Sequence, residues 1–285
     1  MDLTQTAISI AMMTFVLSSM IGMGLGLRVH EIVAPLRNVR LVAQGLLANF
    51  VVMPLAAIGL AKAMRLDESL FIGLLLLGLA GGAPFLPKLA QIAKGNLAFA
   101  VGLMVLLMVI TVGYLPLVLP LVLPGVSVHP AQIAKSLVLL MLLPLSGALV
   151  VNANWPATAA TVKPALDKIS NLSLIILIAF LTVTNLRSVL AVFGTGGIFA
   201  GVAFLAVGYA VGWALGGPGR DTRTVLGLGT SQRNIAAALV VANQSFDNPT
   251  VVVMVVVVAI VGLLTLMPLA RVLGQRPAPG AMPIG

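Results

Sequence analysis

Apolar stretches of membrane length recur along the whole chain, each separated from the next by a few polar or turn-forming residues. A helix needs about 20 apolar residues to cross a bilayer. The pattern predicts nine spans, at 4–27, 38–63, 67–94, 96–123, 130–152, 165–187, 195–216, 221–245 and 248–273. The connections carry the turn formers APLRN, MRLDE, LPGVSVHP, FGTGG, GGPGRD and SFDNP. The tail RPAPGAMPIG is rich in Pro and Gly and is expected to be disordered. The start, MDLTQTAISIAMMTF, has no positive region ahead of the apolar run and no small-residue cleavage site. It reads as the beginning of the first span, not a removed signal peptide.

Two of the nine stretches are interrupted midway. Gly81-Gly82-Ala83-Pro84, followed by Pro87, cannot continue a straight helix, because proline lacks a backbone donor and clashes with the preceding turn. Gly227, Gly229, Thr230, Ser231, Gln232 and Asn234 form a matching polar break in the eighth stretch. Backbone groups freed in lipid must be satisfied, so such breaks are buried in protein or line a wet cavity. The two stretches also match end to end. DESLFIG (67–73) and DTRTVLG (221–227) both read Asp, five residues, Gly, and each stretch ends at an asparagine, Asn96 or Asn248, that opens the next span. This is the trace of an inverted repeat, as found in secondary transporters.

Composition agrees with a polytopic membrane protein. Of 285 residues, 60% are hydrophobic and only 8% charged, against about 25% charged in soluble domains. The net charge of +9 is spread over short loops, which indicates membrane topology and not a nucleic-acid-binding face. With the N-terminus outside, the inward side holds Arg28, Arg37, Arg40, Lys94, Lys163, Lys168, Arg220, Arg223, Arg271 and Arg276. The outward side holds Lys62, Arg65, Lys135 and Arg187. That excess predicts an external N-terminus and a cytoplasmic C-terminus. Little sequence lies outside the spans, which suggests a bacterial inner membrane. The absence of cysteine excludes disulfides and thiolate metal sites.

Lys88 and Arg233 fall inside the two interrupted stretches, where a charge is costly and marks a substrate or ion pathway. No carboxylate lies at comparable depth. Two readings of Arg233 stand: a structural arginine capping unwound carbonyls, or an anion-binding residue at half-helix N-termini. Lys88 either snorkels to the interface or is held in place by its neighbouring prolines. The candidate substrate-binding set is Lys88, Arg233, Asn49, Pro87, Thr230, Ser231, Gln232 and Asn234. No nucleophile–base pair, metal-ligand spacing or phosphate loop occurs. The reading is therefore not an enzyme, with no cofactor, no metal site and no obligate protein partner.

These residues carry a family resemblance. FVLSSMIGMGLGLRVHEI, ANFVVMP, GLLLLGLAGGAP with LAQIAKGN, and GLGTSQRNIAAALVVA resemble, in order and spacing, conserved stretches of the bile acid:sodium symporter family. The resemblance implies an all-α fold of about nine spans in inverted repeats. A core domain (approximately 67–123 and 195–273) would hold two crossing broken helices, and a panel domain (approximately 1–63 and 130–187) would move against it. It implies transport of organic anions, usually with sodium. The chain is divergent where the family binds sodium. A Ser-Asn pair falls at Leu86 and Pro87, hydroxyl ligands at Ala100 and Met104, and a shared glutamate at Gly227. Glutamine ligands fall at Asn49 and near Ser231 or Gln232.

The resulting expectation is a sodium-independent carrier for small carboxylates, with Lys88 and Arg233 replacing the sodium charges. The alternatives are sodium-coupled symport through a rebuilt site, or a membrane scaffold or sensor that does not transport.

Overall fold

Proline, glycine and the polar connections cut the chain into helices close to the predicted bounds. The computed structural model describes residues 3–123, 129–184 and 194–275. The tail 276–285 with Arg276, part of the LPGVSVHP loop, and the end of the sixth predicted span with Arg187 lie outside the described residues. No strand occurs among those described.

Helix α1 is Leu3–Gly24. The expected loop after it is largely helical, with α2 at Val29–Val33 and a 3-10 turn at Ala34–Arg37. Glu31 Oε2 accepts the Arg28 N–H at 3.1 Å and closes the start of α2. Helix α3, Val39–Ala63, widens by one residue per turn at Ala48–Val52, just before Pro54. Such a turn relieves the clash of a proline ring with the backbone behind it. The same device recurs at Val138–Leu142 before Pro144 in α7, Pro130–Asn154.

The fourth and fifth helices, α4 (Glu68–Leu79) and α5 (Leu86–Ile92), are the two arms of the first broken span. Helix α6 is Leu97–Val122, α8 is Pro156–Thr184 and α9 is Gly197–Leu215. The second broken span is α10 (Arg220–Ser231) and α11 (Ile235–Ser245), followed by α12 at Pro249–Gln275. Helix α8 starts nine residues ahead of the predicted 165, one residue after α7 ends at Asn154 and Trp155 intervenes. Pro156 suits the first helical position, and Lys163 pairs with Asp167 one turn on. Hydropathy alone misses this polar beginning. Seven helices among the described residues are long and apolar enough to cross a membrane.

The helices pack in two groups. Helix α1 lies on α7 and α8. Helices α3, α4, α6, α9, α10 and α12 surround the two breaks. Helix α3 packs on α4 and α9, and its widened turn presents Asn49 to the breaks.

The repeat is visible as paired elements. Helices α4 and α10 have 12 residues each, and α6 and α12 have 26 and 27. Asn96 caps α6 by accepting the Phe99 N–H at 3.0 Å, and its Nδ2 donates to Asp221 Oδ2 at 3.3 Å, at the start of α10. Asn248 accepts the Thr250 N–H at 2.9 Å, and its Nδ2 donates to Ser69 Oγ at 2.7 Å, at the start of α4. Each repeat thus ties its long helix to the broken helix of the other.

Gly82 sits between the arms at φ +79°, and a Cβ there would stand 2.7 Å from the Met104 carbonyl oxygen on α6. Gly82→Ala is expected to destabilise the purified protein by about 2 kcal/mol or more. Gly113→Ala, where a Cβ meets nothing within 4 Å, is expected to be neutral or slightly stabilising. Thermal unfolding in detergent checks both.

Candidate functional site

Where α4 and α10 end, their last carbonyls run short of helical donors. Arg233 supplies them. Its side chain is 3% exposed. Nε donates to the Leu77 carbonyl at 2.8 Å. Nη1 donates to Asn49 Oδ1 at 2.6 Å and to the Thr230 carbonyl at 3.1 Å. Nη2 donates to the Gly78 carbonyl at 2.8 Å and to the Asn49 carbonyl at 3.4 Å. A guanidinium has five N–H donors, and these five contacts use them all.

The counter-charge comes from the backbone. A helix C-terminus carries about half a negative charge, and two of them meet the guanidinium here. The arginine thus acts as the capping residue, one of its two predicted readings. The α10–α11 span is almost wholly enclosed, with 94% of its most apolar window buried, so the break faces protein and not lipid.

The other predicted residues divide. Asn49 is fully buried and donates to the Gly45 carbonyl at 3.0 Å and to Thr230 Oγ1 at 3.2 Å. Ser231 donates to the Leu205 carbonyl on α9 at 2.7 Å. Asn234 caps α11 by accepting the Ala237 N–H at 3.1 Å, and its own N–H donates to the Ala80 carbonyl in the other break at 3.0 Å. Gln232 is 9% exposed, and its Oε1 is enclosed without a partner. Pro87 starts α5. Lys88 does not join the cluster. It is exposed, and its ammonium makes no hydrogen bond or ion pair among the described residues.

Two contributors escaped the sequence reading. Thr111 on α6 is fully buried; it accepts the Gly81 N–H at 3.0 Å and donates to the Gly81 carbonyl at 3.1 Å. Tyr114 donates at 2.5 Å to the Phe50 carbonyl, which Pro54 leaves without its helical N–H. Their signal was faint: isolated polar groups in an apolar run, each one turn from the other.

Several of the positions that the family resemblance assigns to sodium offer the ion no side-chain ligand, while Asn49, Ser231 and Gln232 keep side-chain oxygens. Leu86, Ala100 and Met104 are buried and offer no side-chain oxygen. At Gly227 a Cβ would already lie 3.0 Å from the Tyr209 ring, so the ring fills the room a glutamate needs. Among the described residues no three His, Cys, Asp or Glu side chains gather as a metal site.

The sequence profile of the sodium bile acid symporter family matches residues 13–192, more than half of the chain. The chain belongs to the sodium bile acid symporter family. Among its relatives, the uncharacterized sodium-dependent transporter YocS of Bacillus subtilis (strain 168) is 26% identical over 195 residues, 65% of this chain and 60% of that protein. The probable sodium/metabolite cotransporter BASS3, chloroplastic, of Arabidopsis thaliana is 24% identical over 86% of this chain and 59% of its own. The probable sodium/metabolite cotransporter BASS1, chloroplastic, also of Arabidopsis thaliana, is 25% identical over 81% and 58%. The chain spans about three fifths of the length of these relatives.

Thr111→Val keeps shape but orphans both backbone groups of Gly81. It is expected to cost about 1–3 kcal/mol, while Thr111→Ser, which keeps the hydroxyl, costs less. Unfolding of the two variants side by side checks the role of the hydroxyl.

Proposed function

We propose that this protein is a secondary transporter for small organic anions that works without sodium, Arg233 supplying permanently the charge that a mobile cation brings in its relatives. The observation that carries the reading is the cage around Arg233. Five oxygens, with no carboxylate among them, surround the guanidinium at 2.6–3.4 Å. An array of this kind would suit a small hard cation, and a tethered one already fills it. A sodium ion placed within about 4 Å would be opposed by roughly 4 kcal/mol at an effective dielectric near 20. The apolar residues at the assigned sodium positions support the same reading.

With the donors of Arg233 all engaged, direct contact with the anion falls to other side chains, Lys88, exposed on α5, among them. Arg233 acts on the substrate through its field and through the geometry it holds. The α1, α7 and α8 group forms the moving panel, and the helices around the crossover form the core. The excess of basic residues on one side supports an external N-terminus and a cytoplasmic C-terminus in a bacterial inner membrane. The sodium-dependent relatives favour one rival, sodium-coupled symport, in which backbone carbonyls, Asn49 and Gln232 would rebuild an ion site.

The melting temperature in sodium chloride is expected to equal that in choline chloride at the same ionic strength, since a ligand that binds only the folded state would raise it. A sodium-specific rise would overturn the proposal. Arg233→Ala empties the cage and is expected to lower stability by on the order of 3 kcal/mol. Millimolar methylguanidinium or sodium should restore part of that loss in the variant and none in the parent. Lys88→Ala is expected to impair carboxylate uptake with an unchanged melting temperature.

A further inference from the structure

A crevice runs between α9, α12 and the crossover. It holds about 420 Å³ of unfilled space, its open mouth included. Its walls are apolar, with Phe85 and Leu89 from α5, Leu205 from α9, and Val258 and Leu266 from α12. The mouth lies at Gly262 and the exposed Leu263. The polar side chains lining it are Gln232 and Arg233.

These two differ in what they can offer. Arg233 has spent its donors on carbonyls, so it contributes charge but no hydrogen bond. Gln232 is more than nine-tenths buried, and its carboxamide oxygen has no partner. A carboxamide turned about its last bond presents an NH₂ group in place of the oxygen. Ile235, at the start of the 11-residue helix α11, also lines the crevice, and a helix start carries partial positive charge. No acidic side chain lines it. The crossover end of the crevice therefore combines positive potential with an unused amide. The rest is a narrow apolar slot.

We propose that this crevice binds a slender, unbranched monocarboxylate, with Gln232 hydrogen-bonding the carboxylate and the chain lying between α9 and α12. The assignment deepens the anion-transport reading and rests on it. It makes Gln232 a specificity-determining residue and excludes bulky ring systems, which the slot cannot hold. Two sources share this chemistry, a short acid from water and a longer fatty acid from the bilayer.

The test is the melting temperature of the purified protein with butanoate, octanoate, octan-1-ol or taurocholate. Octanoate at a hundredfold excess over its Kd should raise it by about 5 °C, while octan-1-ol and taurocholate should not. Gln232→Leu removes the amide and should weaken octanoate binding about tenfold or more. Gly262→Leu plugs the mouth, since a Cβ there meets nothing nearer than Leu205 Cδ1 at 3.8 Å, and should abolish the rise. Equal responses to butanoate and octanoate support a water-borne acid, and a rise that grows with chain length supports a bilayer source. An octanoate response kept in both variants, matched by octan-1-ol, or absent from the parent protein overturns the proposal. A response lost in Lys88→Ala but kept in Gln232→Leu moves the site to Lys88 and leaves the carrier reading standing. Stabilisation by sodium and by no carboxylate sinks both.

Discussion

A single buried guanidinium holds two helix ends together. Arg233 closes the C-termini of α4 and α10 and ties both to Asn49 on α3. Three segments far apart in sequence meet at one cation because each brings an oxygen that has no other donor. Removing a broken backbone from water leaves several unsatisfied groups. The arginine satisfies them, and the two helix dipoles in turn solvate the arginine. Neither the breaks nor the charge would be tolerable at this depth alone.

The neighbouring interruptions follow the same logic with weaker groups. The Thr111 hydroxyl bonds both backbone groups of Gly81, Tyr114 answers the carbonyl that Pro54 leaves open, and the Asn234 N–H reaches Ala80 across the two breaks. At the rims, Asn96 and Asn248 make equivalent ties to the opposite repeat. Among the described residues, Gln44, Gln232 and Asn234 each keep one enclosed side-chain polar atom without a partner. Of these three, Gln232 lines the crevice between α9 and α12. Unused hydrogen-bonding capacity in an otherwise satisfied network is where a ligand gains most.

The charge arrangement also bears on coupling. A mobile cation at such a crossover is a reporter of the gradient outside, because it comes and goes. A tethered one is always present, so the oxygen cage no longer depends on ion concentration. Leu86, Ala100 and Met104 are buried and the Tyr209 ring lies against Gly227, so these positions are packed and not open.

Much of the architecture was legible beforehand, because lipid imposes length and apolarity on each span and proline and glycine mark the breaks. The repeat could be read from Asp67, Asn96, Asp221 and Asn248, since helix starts need polar caps. The polar beginning of α8 was hidden, because hydropathy does not register a helix turn rich in threonine and lysine. The packing of residues 39–63 on α4 and α9 was not legible, because the side on which Asn49 faces depends on the widened turn before Pro54. By itself the sequence determined that a cation would lie at each break. Only the tertiary structure decided that Arg233 is spent on carbonyls, that Lys88 stands exposed, and that Gln232 is left with an unpaired oxygen. Hydrogen-bond partners are set by which helix ends converge in space, and no local pattern encodes that.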